Sequence, residues 1–292
     1  MKRSFDGSRL QSYLAKRGAH ADVIFPTSAA NATREAQLAA DRGDDLLFVV
    51  GGDGSVRDAA LGLAGSETAL AAVPSGTVNI WAREAGIPRG LRAAIDAHLA
   101  GQSVHMDLGR AGDGCFLLMA GIGWDAVIAG KVSKRLKRAT GDVAYMAQAA
   151  WMLPRLRTRL ARWSTPDASF EEPLGWMVLS NTRLYGGKIH LNPEAVIDDG
   201  QLDGLAMCPR SVGETVRLAA KLVAAKRRDE RFIRFRSTEV HLETPGLAVQ
   251  LDGDYAAESP ITFSVDPRAL LVSVPAGHLA PIFDHPHINR RK

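Results

Sequence analysis

Two short segments combine residue types and spacing suited to phosphate chemistry. Gly51-Gly52-Asp53-Gly54-Ser55 follows the apolar run Leu46 to Val50 and precedes a helix-forming stretch. Glycines let backbone N–H groups approach a phosphate closely, and the start of a helix adds positive dipole where the phosphate charge would sit. Asp53 would repel a bare phosphate, so its presence favours a metal–nucleotide complex in which a divalent cation bridges the two. A tight turn carrying a solvated aspartate is the plainer alternative. Pro74-Ser75-Gly76-Thr77-Val78-Asn79, after the run Ala69 to Val73, offers hydroxyl and amide groups and then a second helix start. Taken alone it reads equally as a helix cap. Two such loops on neighbouring strands define a crevice at the carboxyl ends of a sheet, where open α/β folds bind ligands.

A second group of candidates is acidic. The segment Asn192 to Asp203 sets Asp198, Asp199 and Asp203 around the turn at Gly200. Clustered carboxylates repel, and a hard cation with carboxylate and carbonyl ligands is one remedy; a polar hairpin is the other reading. Asp252-Gly253-Asp254 follows the apolar run Leu247 to Leu251 and by itself marks a turn. Gly121-Ile122-Gly123-Trp124-Asp125-Ala126 fits a dinucleotide fingerprint in spacing, but no βαβ unit follows it. A Walker A loop, the protein-kinase signature set and HExxH are absent. His285-Pro286-His287 reads as tail rather than as a metal site.

Positioning these groups requires two kinds of architecture. From Ser8 to about Gln102, apolar runs at Ala19 to Phe25, Asp45 to Val50 and Thr68 to Val73 alternate with helix-period stretches at Asn31 to Arg42 and Ser55 to Ala64. That alternation predicts a parallel sheet covered by helices, with Thr27, Ser28 and Asn31 as candidate caps and Gly43 and Gly65 as stops. Beyond residue 103 the pattern predicts strands at Val104 to Arg110, Cys115 to Ala120, Gly175 to Asn181, Phe232 to Glu243, Leu247 to Leu251 and Ile261 to Val265, interrupted by helices at Trp124 to Arg157 and Val212 to Arg228. The expected organisation is an α/β domain over residues 1–103, a β-rich domain over 104–275 and a tail over 276–292.

Composition agrees with a folded, non-fibrous chain: 292 residues at 46% hydrophobic content supply cores for about two domains. A net charge of +4 is too slight to imply nucleic acid. Cys115 and Cys208 lie far apart without CxxC spacing, so neither a disulfide framework nor a Cys-rich zinc site is legible, and a reducing cytoplasm is the expected compartment. No apolar stretch approaches the ~20 residues a membrane span needs, and Met1 to Gly18 has no apolar core of a signal peptide.

Taken in order, these motifs resemble the diacylglycerol kinase catalytic family of bacterial lipid kinases, related to sphingosine and ceramide kinases. Gly51 to Ser55 looks like its GGDGT and Pro74 to Asn79 like its P-x-GT-x-N. Met106-Asp107-Leu108-Gly109 through Asp125 resembles its DLG…GxGxD; Asn181-Thr182, Tyr185-Gly186-Gly187, Pro193 to Asp203 and Leu251 to Asp254 follow in the family's order. The resemblance implies an N-terminal α/β domain like those of NAD kinases and phosphofructokinases, a C-terminal β-sandwich, and ATP and lipid meeting between them. It further implies ATP held by Thr27, by Gly51, Gly52, Asp53, Gly54, Ser55, Val56 and Arg57, and by Gly76, Thr77 and Asn79, with Asp53 near the phosphates and their Mg²⁺. It assigns a structural Mg²⁺ to Asp199 with the carbonyls of Val196 and Gln201, and the general base to Asp254, where the family usually carries Glu. The family's opening strand and Asn-Pro turn have no counterpart before what resembles its first helix, so the expectation is either a recorded start that is late or a sheet that lacks that strand and exposes an unpaired edge.

The expected activity is ATP- and Mg²⁺-dependent phosphorylation of a lipid hydroxyl, diacylglycerol first and a sphingoid lipid second. A soluble-substrate kinase of the NAD kinase type and a lipid-binding pseudokinase are the alternatives. Basic stretches at Lys131, Lys134, Arg135, Lys137 and Arg138, at Arg155, Arg157, Arg159 and Arg162, and at Lys221, Lys226, Arg227 and Arg228 are expected to meet anionic headgroups, giving peripheral attachment to the membrane.

Overall fold

The computed structural model of the protein describes residues 7–131, 158–187, 189–224, 228–277, 279–284 and 288–289. The first hundred residues form α1 (Gly7–Ala15), α2 (Ala29–Arg42), β1 (Leu46–Gly51), α3 (Asp53–Leu63), β2 (Ala69–Pro74), α4 (Ile80–Glu84) and α5 (Leu91–Leu99). Ser28 opens α2 by accepting the Asn31 amide, and Gly43 closes it in the left-handed region at φ 72. Helices α2 and α3 approach so closely that a Cβ on Gly62 would stand 2.2 Å from the Thr33 carbonyl oxygen. Strands β1 and β2 run parallel, from Leu46 beside Ala69 to Gly51 beside Pro74, so both candidate loops leave the sheet at one level.

Strands dominate thereafter: β3 (Gln102–Ala111), β4 (Gly114–Phe116), β5 (Met119–Gly123), α6 (Trp124–Lys131), β6 (Arg159–Ser164), β7 (Ser169–Leu174), β8 (Trp176–Ser180), β9 (Leu184–Tyr185), β10 (Ile189–His190), β11 (Leu202–Met207), α7 (Val212–Val223), β12 (Phe232–Ser237), β13 (Glu239–Leu242), β14 (Ala248–Leu251), β15 (Asp254–Glu258), β16 (Ile261–Val274) and β17 (Ile288–Asn289). One sheet runs β1-β2-β16-β13-β6-β7 with β3 also on β16, and the other is antiparallel in the order β12-β11-β8-β5-β14-β15. Phe116, Ile122, Trp163, Met177, Val249 and Phe263 are buried in one apolar cluster joining the inner faces of this β-sandwich.

Strand β16 ties the two regions together. Its first residues pair with β13, whereas Val272 pairs parallel with Leu70 of β2. With β1 and β16 on its two edges, β2 is buried from Ala69 to Val73, which is why it reads as an unbroken apolar run. The first sheet is therefore mixed rather than purely parallel, since β3 runs antiparallel to β16.

Several sequence expectations change. Residues 19–25 form no strand: they alternate in exposure as a strand would, but they join no ladder, and Ile24 and Phe25 are exposed. Among the described residues β1 is an edge strand, because a strand exists only where a neighbour accepts its backbone groups. The run Cys115 to Ala120 splits into β4 and β5, and Phe232 to Glu243 splits into β12 and β13, which enter different sheets. The segment expected as tail packs back on the fold: Ile282 and Phe283 are buried and Ile288 pairs with Val104 of β3. The helix expected from Trp124 to Arg157 is described only as α6, and its remainder lies outside the described residues, as does His285-Pro286-His287.

Candidate active site

Local backbone requirements build the first wall of the site. Gly52 is the N-cap of α3, so the helix begins directly off β1 and presents its first-turn amides at the carboxyl end of the sheet. A Cβ on Gly76 would lie 2.8 Å from the Gly52 Cα, so glycine at 76 lets the two loops touch backbone to backbone. Asn79 holds the second loop in shape from the left-handed region at φ 52. Its Oδ1 accepts the Gly76 amide at 2.9 Å and its Nδ2 donates to the Gly76 carbonyl at 2.7 Å.

Asp53 is not a solvated turn residue. Its Oδ2 accepts the Ile80 amide at 3.0 Å and its Oδ1 accepts the Trp81 amide at 3.1 Å, so the first loop supplies the carboxylate that caps α4 at the end of the second. Each carboxylate oxygen retains further lone-pair capacity for a phosphate-bound cation. Ser55 and Thr77 are exposed on the two loops. Thr27 sits exposed before α2, its amide donated to Asn31 Oδ1 at 3.1 Å. Val56 does not suit the nucleotide role expected of it: its side chain is buried and its amide donates to the Gly52 carbonyl at 3.1 Å, a bond internal to the helix start.

The opposite wall is the turn between β14 and β15. Asp254 Oδ2 lies 3.7 Å from the position a Cβ on Gly54 would take, which brings residues two hundred apart in sequence to one place. Arg57, expected among the nucleotide ligands, instead reaches across to this turn, donating from Nη1 to the Leu251 carbonyl at 2.6 Å and from Nη2 to Asp254 Oδ2 at 3.3 Å. Burial works against the Arg57 charge, but the carboxylates of Asp252, Asp254 and Asp58 outweigh it and raise its pKa.

Asp252, which the sequence marks only as a turn residue, anchors that turn. At φ 49 it accepts the amides of Leu117, Leu118 and Met119 at 2.9, 2.9 and 3.0 Å. These are the residues at the break between β4 and β5, so the interruption of that predicted strand is what frees them to donate. Burial pushes the Asp252 carboxyl up to about 6, against the pull of Arg57 and the three amides. Further support comes through Gln250, whose Nε2 donates to Asp125 Oδ2 at 2.8 Å and whose Oε1 accepts the Gly253 amide, while Tyr185 donates to Asp125 Oδ1 at 2.5 Å. Asp125 and Tyr185 belong to motifs already noted in the sequence, and Arg57 to the loop expected to hold nucleotide; nothing local marks Gln250, whose partner Asp125 is distant in the chain.

The expected structural cation site is assembled differently. Asp199 Oδ1 accepts the Gln201 amide at 2.9 Å, and Asp199 Oδ2 is ion-paired with Arg236. The same guanidinium lies 3.3 Å from Asp203 Oδ1 through its Nε. Burial pushes the Asp203 carboxyl up to about 6, and its Oδ2 is buried without a hydrogen-bond partner. Among the described residues no group of three or more acidic, histidine or cysteine side chains is placed to hold a metal ion. The carboxylate expected of Asp199 is thus already neutralised by a cation of the chain itself, and the set Val196, Asp199 and Gln201 does not fit a hard divalent ion as it stands.

The basic stretches lie mostly outside the described residues. Of those described, Arg159 donates to the Gly246 and Pro245 carbonyls, Arg162 pairs with Glu171 at 3.0 Å and Lys221 pairs with Asp229 at 2.6 Å. These three are engaged within the protein, whereas Arg228 is exposed. Among the described residues no helix is long and apolar enough to cross a membrane.

Two loops at the carboxyl ends of β1 and β2 thus face a carboxylate-bearing turn, on an α/β sheet joined to a β-sandwich. The chain belongs to the diacylglycerol kinase catalytic family of lipid kinases: residues 2–111 match the diacylglycerol kinase catalytic domain, and residues 119–274 match the YegS C-terminal NAD kinase beta sandwich-like domain. It is 33% identical over 269 residues to a "Probable lipid kinase YegS-like" of Pseudomonas putida, covering 91% of this chain and 88% of the relative. It is 32% identical over 272 residues to a "Diacylglycerol kinase" of Mycobacterium tuberculosis, covering 90% and 87%. Two crystal structures from Bacillus anthracis share the fold. One covers 88% of this chain and 85% of its own at a TM-score of 0.76 and 21% identity. The other, of a diacylglycerol kinase, covers 88% and 84% at 0.64 and 19%.

Proposed function

We propose that this kinase transfers the γ-phosphate of ATP to a hydroxyl of a membrane lipid, with diacylglycerol the first candidate and a sphingoid lipid the second. The observation that carries the reading is the placement of Asp254 beside Gly54, at the N-terminus of α3. Phosphates lying along the Gly51 to Ser55 and Gly76 to Asn79 loops would meet backbone amides and a helix dipole, which stabilise charge spreading over the transferred group. Asp254 would take the proton from the lipid hydroxyl as its oxygen attacks the γ-phosphorus. Arg57 holds that carboxylate over the loop, and Asp252 fixes the backbone on which it rides. Asp53 keeps the two loops in register by capping α4. A magnesium ion arriving with ATP would be held by Asp53, directly or through water, and would neutralise phosphate charge.

Diacylglycerol and sphingoid acceptors reside in bilayers, so we place the enzyme at the cytoplasmic face, attached peripherally. Val212 and Val216, exposed one turn apart on α7, support that contact. The test is transfer of labelled γ-phosphate from Mg-ATP to mixed vesicles carrying diacylglycerol or sphingosine. Label in a lipid band establishes the acceptor class. Transfer only to a soluble acceptor supports the NAD kinase-like alternative, and lipid binding without transfer supports the pseudokinase.

A further inference from the structure

The loop between β10 and β11 concentrates negative charge around Gly200, and the aspartates gathered there, Asp107, Asp198, Asp199 and Asp203, each find a partner within the chain. Asp107, buried on β3, accepts the Gly200 amide at 2.6 Å and the Arg268 amide at 2.8 Å. Asp198 accepts the Asp284 amide at 3.0 Å from the returning C-terminal segment. Asp199 and Asp203 share an ion pair with the guanidinium of Arg236, and Arg234 adds a weaker favourable charge at Asp203.

The position of that guanidinium is set by sheet register. Arg236 of β12 stands directly opposite Asp203 of β11, in a ladder that runs unbroken from Leu202 beside Ser237 to Met207 beside Phe232. A cross-strand pair of opposite charge is favourable in itself. A planar guanidinium can also direct separate N–H groups at two carboxylates, and it carries its charge at every physiological pH. Magnesium at the same place would demand near-octahedral oxygen ligation at about 2.0–2.1 Å and would have to displace Arg236 from both partners.

The geometry points to Arg236 as the built-in counter-ion of this loop, standing where the family resemblance places a structural divalent cation and making the fold of this chain independent of one. The consequence is reciprocal. Removing the guanidinium leaves Asp199 without its ion-pair partner and Asp203 with only the weaker influence of Arg234, which converts the loop into a site that binds Mg²⁺ or Mn²⁺.

The test is thermal unfolding of the full-length protein without nucleotide, in EDTA and then in millimolar Mg²⁺ or Mn²⁺, which needs no catalytic readout. The wild type is expected to melt at the same temperature in all three. Arg236→Gln is expected to melt at least about 2 °C lower in EDTA and to recover with either metal, and Asp199→Asn added to it abolishes the recovery. A wild-type protein destabilised by EDTA and restored by Mg²⁺ overturns the inference, as does an Arg236→Gln variant that gains no metal response. Should Arg236→Gln fail to accumulate, Mn²⁺ binding to the wild type followed by electron paramagnetic resonance decides the matter. A bound ion lost on Asp199→Asn refutes the inference, and identical spectra for the two proteins uphold it.

Discussion

Two regions of this molecule gather aspartates around an Asp-Gly pair, and they solve the resulting repulsion in different ways. At the junction of α3 with the β14–β15 turn, backbone amides do most of the work: two reach Asp53 and three reach Asp252. Asp254 is left a third exposed beside Arg57. At the β10–β11 loop a side-chain cation bridges Asp199 and Asp203, with Arg236 half exposed. Amides hold Asp53 and Asp252 in place without cancelling their charge, whereas Arg236 is ion-paired with both acids of the second region. Asp254 has Arg57 beside it at 3.3 Å, and in the proposed reaction it is the carboxylate that takes a proton.

The sharpest way to break this contrast is to remove the carboxylates of the first region. Asp254→Ala should lower kcat by about a hundredfold or more, the usual range for losing a general base, with the melting temperature nearly unchanged. Asp53→Ala should abolish measurable transfer and also destabilise the protein by about 1–3 kcal/mol, because two α4 amides lose their acceptor. Near-normal turnover of either variant in the vesicle assay would remove that residue from the site.

A subtler test concerns Asp252. Its folded-state pKa of about 6 lies above the ordinary carboxyl value of 3.8. Its contribution to stability is thus complete below about pH 3.8 and is lost as the pH rises through 6. Activity runs the other way, since a protonated carboxyl would turn an O–H toward donors and release the turn. The pH–rate profile should fall below about pH 6 while this group's share of stability grows. Asp252→Asn should lower kcat about tenfold, or about 1.4 kcal/mol in barrier, and erase that acid limb; a retained limb would assign it to another group.

The smallest effect is expected from Asp254→Glu. The added methylene restores the family's usual side chain, and the rate should stay the same or rise. Total loss would mean that Arg57 and Gly54 fit only the shorter carboxylate.

The sequence alone determined the succession of glycine loops, helix starts and acidic turns, because each depends on local requirements: a backbone that admits no Cβ, a cap, a left-handed turn. It therefore marked Asp53, Gly76, Asn79 and Asp254 as candidates, and it placed β1, β2, α2 and α3 close to their observed bounds. Tertiary structure decided what depends on partners distant in the chain. It withheld a ladder from residues 19–25. It divided Phe232 to Glu243 between two sheets and carried β16 into the N-terminal one. It turned Arg57 from phosphate toward Asp254, made Asp252 an anchor through amides more than 130 residues away, and placed Arg236 opposite Asp203. Charge neutralisation and hydrogen-bond pairing act through space, and residue types at short spacing do not record who the partner will be.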